Sequence, residues 1–88
     1  MSKLAVVTGG TRGIGSAISL ALKNNGYQVI ANYYNNHQIA DKFFTDHGIN
    51  IKPWNIADFA ECEKAVGEIE FEYNRPISIL VNNAGINL

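Results

Sequence analysis

The residues best suited to chemistry stand in one run near the start of the chain, Thr8-Gly9-Gly10-Thr11-Arg12-Gly13-Ile14-Gly15. Gly9, Gly13 and Gly15 follow the spacing Gly-x-x-x-Gly-x-Gly. Glycine tolerates positive φ and lets other groups approach the backbone closely, so such a run suits a tight turn that cradles an anion. Gly9 would allow the turn out of a strand, and Gly13 would leave a pyrophosphate unobstructed. Gly15 would let a following helix pack close to the sheet. The free N–H groups and partial positive charge at that helix's N-terminus would face the phosphates. No Gly-Lys-Ser/Thr closes the run, which argues against a P-loop and nucleoside triphosphate chemistry.

The other candidates carry less. Cys62 is the single cysteine, and its neighbours Ala60, Glu61 and Glu63 offer no cation to activate a thiolate. His37 and His47, with Asp41 and Asp46 nearby, lack metal-ligand spacing on one helix face, so they read as solvated helix residues and no metal is expected. Ser16 reads as a first-turn helix residue, with Ser19 on the same helix. Trp54 fits the core at a strand end or the wall of a base site.

The elements that must position the glycine run alternate between strand and helix. Leu4-Ala5-Val6-Val7 is a short apolar run, as expected of a strand buried on both faces. Ile14, Ala17, Ile18, Ala21 and Leu22 recur at helical spacing up to the stop signal Asn24-Asn25-Gly26. Tyr27 to Tyr33 reads as a second strand. Ile39, Ala40, Phe43 and Phe44 form the stripe of a second helix ending near His47-Gly48. Ile49 to Trp54 is a third strand whose Pro53 suits an edge. Asp58 is the expected N-cap of a third helix, with Glu61 completing a capping-box pair and Cys62, Ala65, Val66, Ile69 and Tyr73 as its buried stripe. Ile77 to Val81 reads as another doubly buried strand, running into Asn82-Asn83-Ala84-Gly85. The order βαβαβαβ predicts an α/β fold: a Rossmann-type parallel sheet with helices on both faces, first half only, in strand order 3-2-1-4.

Composition agrees with one ordinary globular unit. The chain has 88 residues, 47% apolar and 17% charged, with a formal net charge of −1. No basic tract suggests nucleic acid or lipid, and no apolar run reaches membrane-spanning length. A lone cysteine and the absence of a signal-peptide pattern make the cytoplasm the expected compartment.

The second strand ends Ala31-Asn32-Tyr33-Tyr34-Asn35-Asn36, without the carboxylate that binds a ribose 2′-hydroxyl in NAD-specific sites. Arg12, inside the glycine turn, offers a permanently charged fork to a 2′-phosphate. NADP(H) is therefore the expected cofactor, with Asn32 among the residues expected to bind it.

Thr8 to Gly15 and the later Asn82-Asn83-Ala84-Gly85 together resemble the two signatures of the short-chain dehydrogenase/reductase family. Adding Asn55-Ile56-Ala57-Asp58 and Ile79 to Ile86, the chain is most similar to acetoacetyl-CoA reductases, then to 3-oxoacyl-acyl-carrier-protein reductases. The resemblance covers essentially all 88 residues but only the first third of such an enzyme, so residues 1–88 would be the N-terminal part of an NAD(P)-binding Rossmann domain. It implies that Gly9, Arg12, Gly13, Ile14 and Gly15 line the pyrophosphate and adenosine-ribose end. Asn55 and Ile56 would flank the adenine, Asn55 standing where many relatives have Asp. Asn83, Ala84 and Gly85 would lie beside a ribose, Asn83 also tying strands together.

The same family works through a Tyr-x-x-x-Lys pair, a serine and a further asparagine beyond the fourth strand. Here Ala31, His37, Gln38 and Ile77 stand four after Tyr27, Tyr33, Tyr34 and Tyr73, so no catalytic residue is assigned. The expected function is the cofactor-binding portion of an NADP(H)-dependent oxidoreductase acting on 3-oxoacyl thioesters such as acetoacetyl-CoA. The acyl thioester would bind only with a C-terminal part present. The alternative is a non-catalytic nucleotide-binding or interaction module. In a 3-2-1-4 sheet the outer edge of the fourth strand, Ile77 to Val81, is apolar and unprotected, which predicts self-association or instability.

Overall fold

A computed structural model of the chain describes residues 2–83. Its elements are β1 (Leu4–Val7), α1 (Gly13–Asn24), β2 (Gln28–Tyr33), α2 (His37–His47), β3 (Asn50–Pro53), α3 (Phe59–Tyr73) and β4 (Ile77–Val81). The strands form one parallel sheet in the order β3-β2-β1-β4. All four residues of β1 are wholly buried, because alternate side chains enter two different cores. Leu4 and Val6 pack with Ile30, Trp54 and, from α3, Ala65 and Ile69. Ala5 and Val7 pack with Val29, Ala31 and Phe43, with Ile18 and Leu22 of α1 against them. Thus α1 and α2 cover one face and α3 the other.

The helix ends follow local chemistry. Asp58 caps α3 by accepting the Glu61 N–H at 3.1 Å, as expected. The Glu61 carboxylate, however, accepts from the Asn55 N–H at 3.0 Å instead of from Asp58, so it braces the preceding loop. Gly48 ends α2 in the left-handed conformation that its missing side chain permits.

Three burial expectations are corrected. The buried residues of α1 are Gly15 and Ser19; Ile14 is 75% exposed, and Ala17 and Ala21 face outward. Small residues form the contact line because α1 approaches the glycine turn too closely for large ones. In α2, Ala40 and Phe43 are buried, whereas Ile39 and Phe44 remain largely exposed. β4 is half-exposed, not doubly buried, and Leu80 is 60% exposed. Among the described residues it pairs only with β1, and its register shifts so that Leu4 partners Ile77 while Ala5 partners Ile79. Ser78 is the extra residue that turns Ile79 and Val81 towards the α1 side.

Candidate dinucleotide-binding site

β1 delivers the chain to Thr8, where the sheet's order reverses. The buried Thr8 is tied to the end of β4: its N–H donates to the Val81 carbonyl at 3.0 Å, and its hydroxyl accepts the Asn83 N–H at 2.9 Å. Gly9 then turns the backbone at φ +60. Its N–H donates to Asn32 Oδ1 at 3.0 Å, and its carbonyl accepts from Asn83 Nδ2 at 3.3 Å. The Gly10 carbonyl accepts from the buried Ser19 hydroxyl at 3.0 Å. The turn is thereby fastened from β2, from α1 and from the residues after β4.

The glycines divide the work differently from the sequence expectation. A Cβ on Gly15 would stand 1.9 Å from the Gly9 carbonyl oxygen, so this glycine lets α1 pack on the turn itself more than on the sheet. Gly13 stands at φ +57 with nothing within 4 Å of where a Cβ would be. It opens α1 immediately after the exposed Arg12, whose side chain makes no capping bond. The Ser16 hydroxyl donates back to the Gly13 carbonyl at 2.8 Å, a first-turn role as expected.

Asn32 is only 2% exposed, and its amide is committed to the protein. Besides accepting from Gly9, its Nδ2 donates to the Trp54 carbonyl at 3.1 Å and the Tyr33 carbonyl at 3.3 Å. It clamps together the ends of β1, β2 and β3. Next to it, the half-buried Tyr33 phenol meets His37 Nδ1 at 3.1 Å. Burial first, and Asp41 second, hold the Tyr33 phenol above its ordinary 10.0.

A cleft of about 330 Å³ runs along these strand ends. It passes from Gly9 and Arg12, over Asn32 and Tyr34, to Trp54, Asn55 and Ile56. The structure therefore brings five expected residues, Gly9, Arg12, Asn32, Asn55 and Ile56, to one cleft. Gly13, Ile14 and Gly15 continue from its Arg12 end, and Asn83 supports Gly9 from the β4 side. Ala84 and Gly85 lie outside the described residues. Thr11, Tyr34, Asn35 and Asn36 also line the cleft, and sequence reasoning assigned them no site role. Thr8 and Ser19 were missed as fasteners; a serine four residues after Gly15, on the same face of α1, was the available signal. A larger hollow of about 430 Å³ lies beside β3 between α2 and α3, but its walls carry no glycine and no helix start.

Among these helices, α1 and α2 have no side-chain cap and no acidic residue in the first turn. α3 has both. Open space at Gly13 and two uncapped helix starts fit the phosphates of a dinucleotide, since bare N–H groups and a positive dipole end favour anions. Among the described residues, no three His, Cys, Asp or Glu side chains are placed to hold a metal ion. No helix among those residues is long and apolar enough to cross a membrane.

A parallel 3-2-1-4 sheet with a glycine turn where the strand order reverses defines the Rossmann class of dinucleotide-binding folds. Within that class, the chain belongs to the short chain dehydrogenase family, whose sequence profile matches residues 3–88. It is 50% identical over 86 residues to an acetoacetyl-CoA reductase of Paracoccus denitrificans, covering 98% of this chain and 35% of that protein. It is 35% identical over 91 residues to the 3-oxoacyl-acyl-carrier-protein reductase FabG of Staphylococcus aureus, covering 98% of this chain and 37% of that protein. The crystal structure of BdcA in complex with NADPH matches with TM-score 0.75 and 29% identity, over 98% of this chain and 33% of that one. A Bacillus thuringiensis structure matches with TM-score 0.90 at 22% identity, over 100% of this chain and 38% of that one, which shows the shared fold alone. The chain thus spans about a third of the length of these curated relatives and aligns with their N-terminal portion.

Proposed function

We propose that this chain is the N-terminal, cofactor-binding portion of an NADP(H)-dependent reductase acting on 3-oxoacyl thioesters such as acetoacetyl-CoA. The observation that carries the reading is Gly13: positive φ and open space at the uncapped start of α1. A pyrophosphate seated there meets free N–H groups with no side chain in the way. Gly9, Ile14 and Gly15 complete that end. Trp54, Asn55 and Ile56 wall the base, and Asn83 stands on the ribose side, the position that the family signature also gives to Ala84 and Gly85, which lie outside the described residues. Asn32 contributes by holding Gly9 in place.

The preference for NADP(H) rests on charge. No carboxylate lines the cleft, whereas Arg12 does, together with Asn35 and Asn36 at the uncapped start of α2. A 2′-phosphate gains from a guanidinium fork and loses against a carboxylate. When bound, the reduced nicotinamide would supply a hydride to the 3-oxo carbon, which with a proton taken up at its oxygen gives a 3-hydroxyacyl thioester. The substrate class is supported by the acetoacetyl-CoA reductase of Paracoccus denitrificans at 50% identity. The acyl thioester engages only where a C-terminal part is present, and the cytoplasm is the proposed compartment. The outer edge of β4, with Leu80 60% exposed, is the surface proposed for self-association of an isolated 1–88 chain.

A second reading is a nucleotide-binding module without catalysis, for which the cleft at the glycine turn suffices by itself. Titrating NADPH and NADH into the protein and its Arg12→Ala variant tests the cofactor reading. The expected result is tighter binding of NADPH, with the preference falling about tenfold in the variant, as for loss of one charge-assisted hydrogen bond. An unchanged preference would refute the role given to Arg12. Turnover of acetoacetyl-CoA by residues 1–88 alone would refute the second reading.

A further inference from the structure

We propose that the hollow beside β3 is a second binding site, for a small organic cation: an ammonium group carried on an aromatic body. The hollow shares no lining residue with the dinucleotide cleft, and the inference does not rest on the reading of that cleft. At about 430 Å³ it falls in the size range of small-molecule sites. Among the described residues β3 is the last strand on its side of the sheet. With α2 and α3 flanking it from the two faces, a gap is left at the sheet's edge.

The floor of this gap is apolar and reaches the core. Ile30 and Ile69 are core residues, 2% and 1% exposed, and Ile51 of β3 joins them. Aromatic rings come from both helices, Phe44 from α2 and Tyr73 from the last turn of α3. Phe44 is 46% exposed although its spacing places it in the apolar stripe of α2, because its side of the helix borders the hollow. Asn50 Nδ2 donates to the Tyr73 hydroxyl and so fixes that ring at the start of β3.

The polar rim decides the sign of the ligand. Asp41 and Glu72 line the hollow, and among the described residues neither carboxylate has a hydrogen-bond or ion-pair partner. Lys52 is the cation of the lining, and it is already paired with Glu68 at 3.0 Å. The main chain adds an acceptor. The Trp54 N–H donates to the Tyr33 carbonyl, so alternate residues of β3 face β2, and the Ile51 carbonyl points outward at the edge bordering the hollow. An ammonium has three donors and no acceptor, which suits a rim of acceptors. A cation over the face of Phe44 or Tyr73 is attracted further by the ring. An anion is repelled by both carboxylates, and an uncharged ligand gains the apolar floor alone.

The probes are 2-phenylethylamine, protonated at neutral pH, its uncharged counterpart 2-phenylethanol, and the anion 3-phenylpropanoate. Each is titrated into the isotope-labelled chain, and NMR follows the amide signals of Phe44, Ile51 and Tyr73. The amine should bind saturably and at least about tenfold more tightly than the alcohol, the scale of one hydrogen bond to a charged group. The anion should bind more weakly than either, and added salt should narrow the gap between amine and alcohol. Combining Asp41→Asn with Glu72→Gln should bring amine and alcohol within about threefold of each other. The urea midpoint should stay in place, since neither carboxylate has a partner in the fold to lose. The salt and anion arms read the same claim in the unaltered chain, whatever the double variant does to folding. Equal affinity for amine and alcohol, or an unchanged gap in the folded double variant, would overturn the inference. So would signal changes centred on Gly9 and Arg12, or no saturable binding of the amine, and none of these results bears on the dinucleotide cleft.

Discussion

Replacing Gly15 with alanine would place a methyl carbon 1.9 Å from the Gly9 carbonyl oxygen and 2.7 Å from Asn83 Nδ2. Real Cβ contacts essentially never fall below 3.0 Å, so the turn and α1 must separate by at least about 1.1 Å. Neither side yields easily. The Gly9 N–H is held by Asn32, and the Gly9 carbonyl receives Asn83. Overpacking of this kind costs about 1–3 kcal/mol, and straining those two hydrogen bonds adds about 1 kcal/mol each if they break. The better helix propensity of alanine returns up to about 1 kcal/mol. A net loss of about 2–4 kcal/mol is expected, a large fraction of the roughly 4–13 kcal/mol typical of a domain this size. Gly67 is the internal control, since it lies within α3 with nothing within 4 Å of its Cβ position. Gly67→Ala should stabilise by about 0.5–1 kcal/mol through helix propensity. Urea unfolding followed by circular dichroism measures both. A Gly15→Ala variant within about 0.5 kcal/mol of wild type, against this expected overpacking cost, would refute the reasoning. So would a Gly67→Ala variant as damaged as Gly15→Ala.

Two further outcomes follow from the same geometry. Asn32→Asp removes the donors to the Trp54 and Tyr33 carbonyls and sets a buried carboxylate beside them, so it should destabilise by about 1–3 kcal/mol in denaturant melts without creating a preference for NADH. The Tyr33 phenol, held above 10.0 by burial and then by Asp41, binds its proton more tightly folded than unfolded. Its contribution to stability is therefore complete below about pH 10 and lost as pH rises through the folded value; melts of wild type and Tyr33→Phe across that range should diverge only there.

Much of the scaffold could be read from the chain. The apolar run Leu4–Val7 between polar flanks, the stop at Asn24-Asn25-Gly26 and the Asp58 cap each depend on neighbours in sequence, and the structure has them in place. What escaped depends on neighbours in space. The buried line of α1 runs through Gly15 and Ser19, which hydrophobic periodicity ignores because small and polar residues carry no apolar signal. β4 reads as a doubly buried strand, yet its burial is decided by which strand lies on each side, and among the described residues it pairs with β1 alone. The site shows the same division. The glycine spacing marked the turn, and Asn83 was expected to tie strands, as its bonds to Thr8 and Gly9 do. Asn32 was expected to bind the cofactor; it lines the cleft, while its side-chain amide joins three strand ends that lie far apart in sequence. The occupation of Asn55 Oδ1 by Ala57 likewise needed atoms, because residue type alone leaves both ends of the amide open.

The claim at the centre of this account is that the open space above Gly13 receives the phosphates of a dinucleotide. Gly13→Asn tests it most directly, because asparagine tolerates the left-handed backbone at φ +57 better than other side chains while filling the space. Calorimetric titration with NADPH should give saturable binding for wild type and at least about a hundredfold weaker binding for Gly13→Asn, with thermal stability falling by no more than the 1–2 kcal/mol cost of a non-glycine residue there. Equal affinity of the two proteins for NADPH, or no binding by wild type, would contradict it.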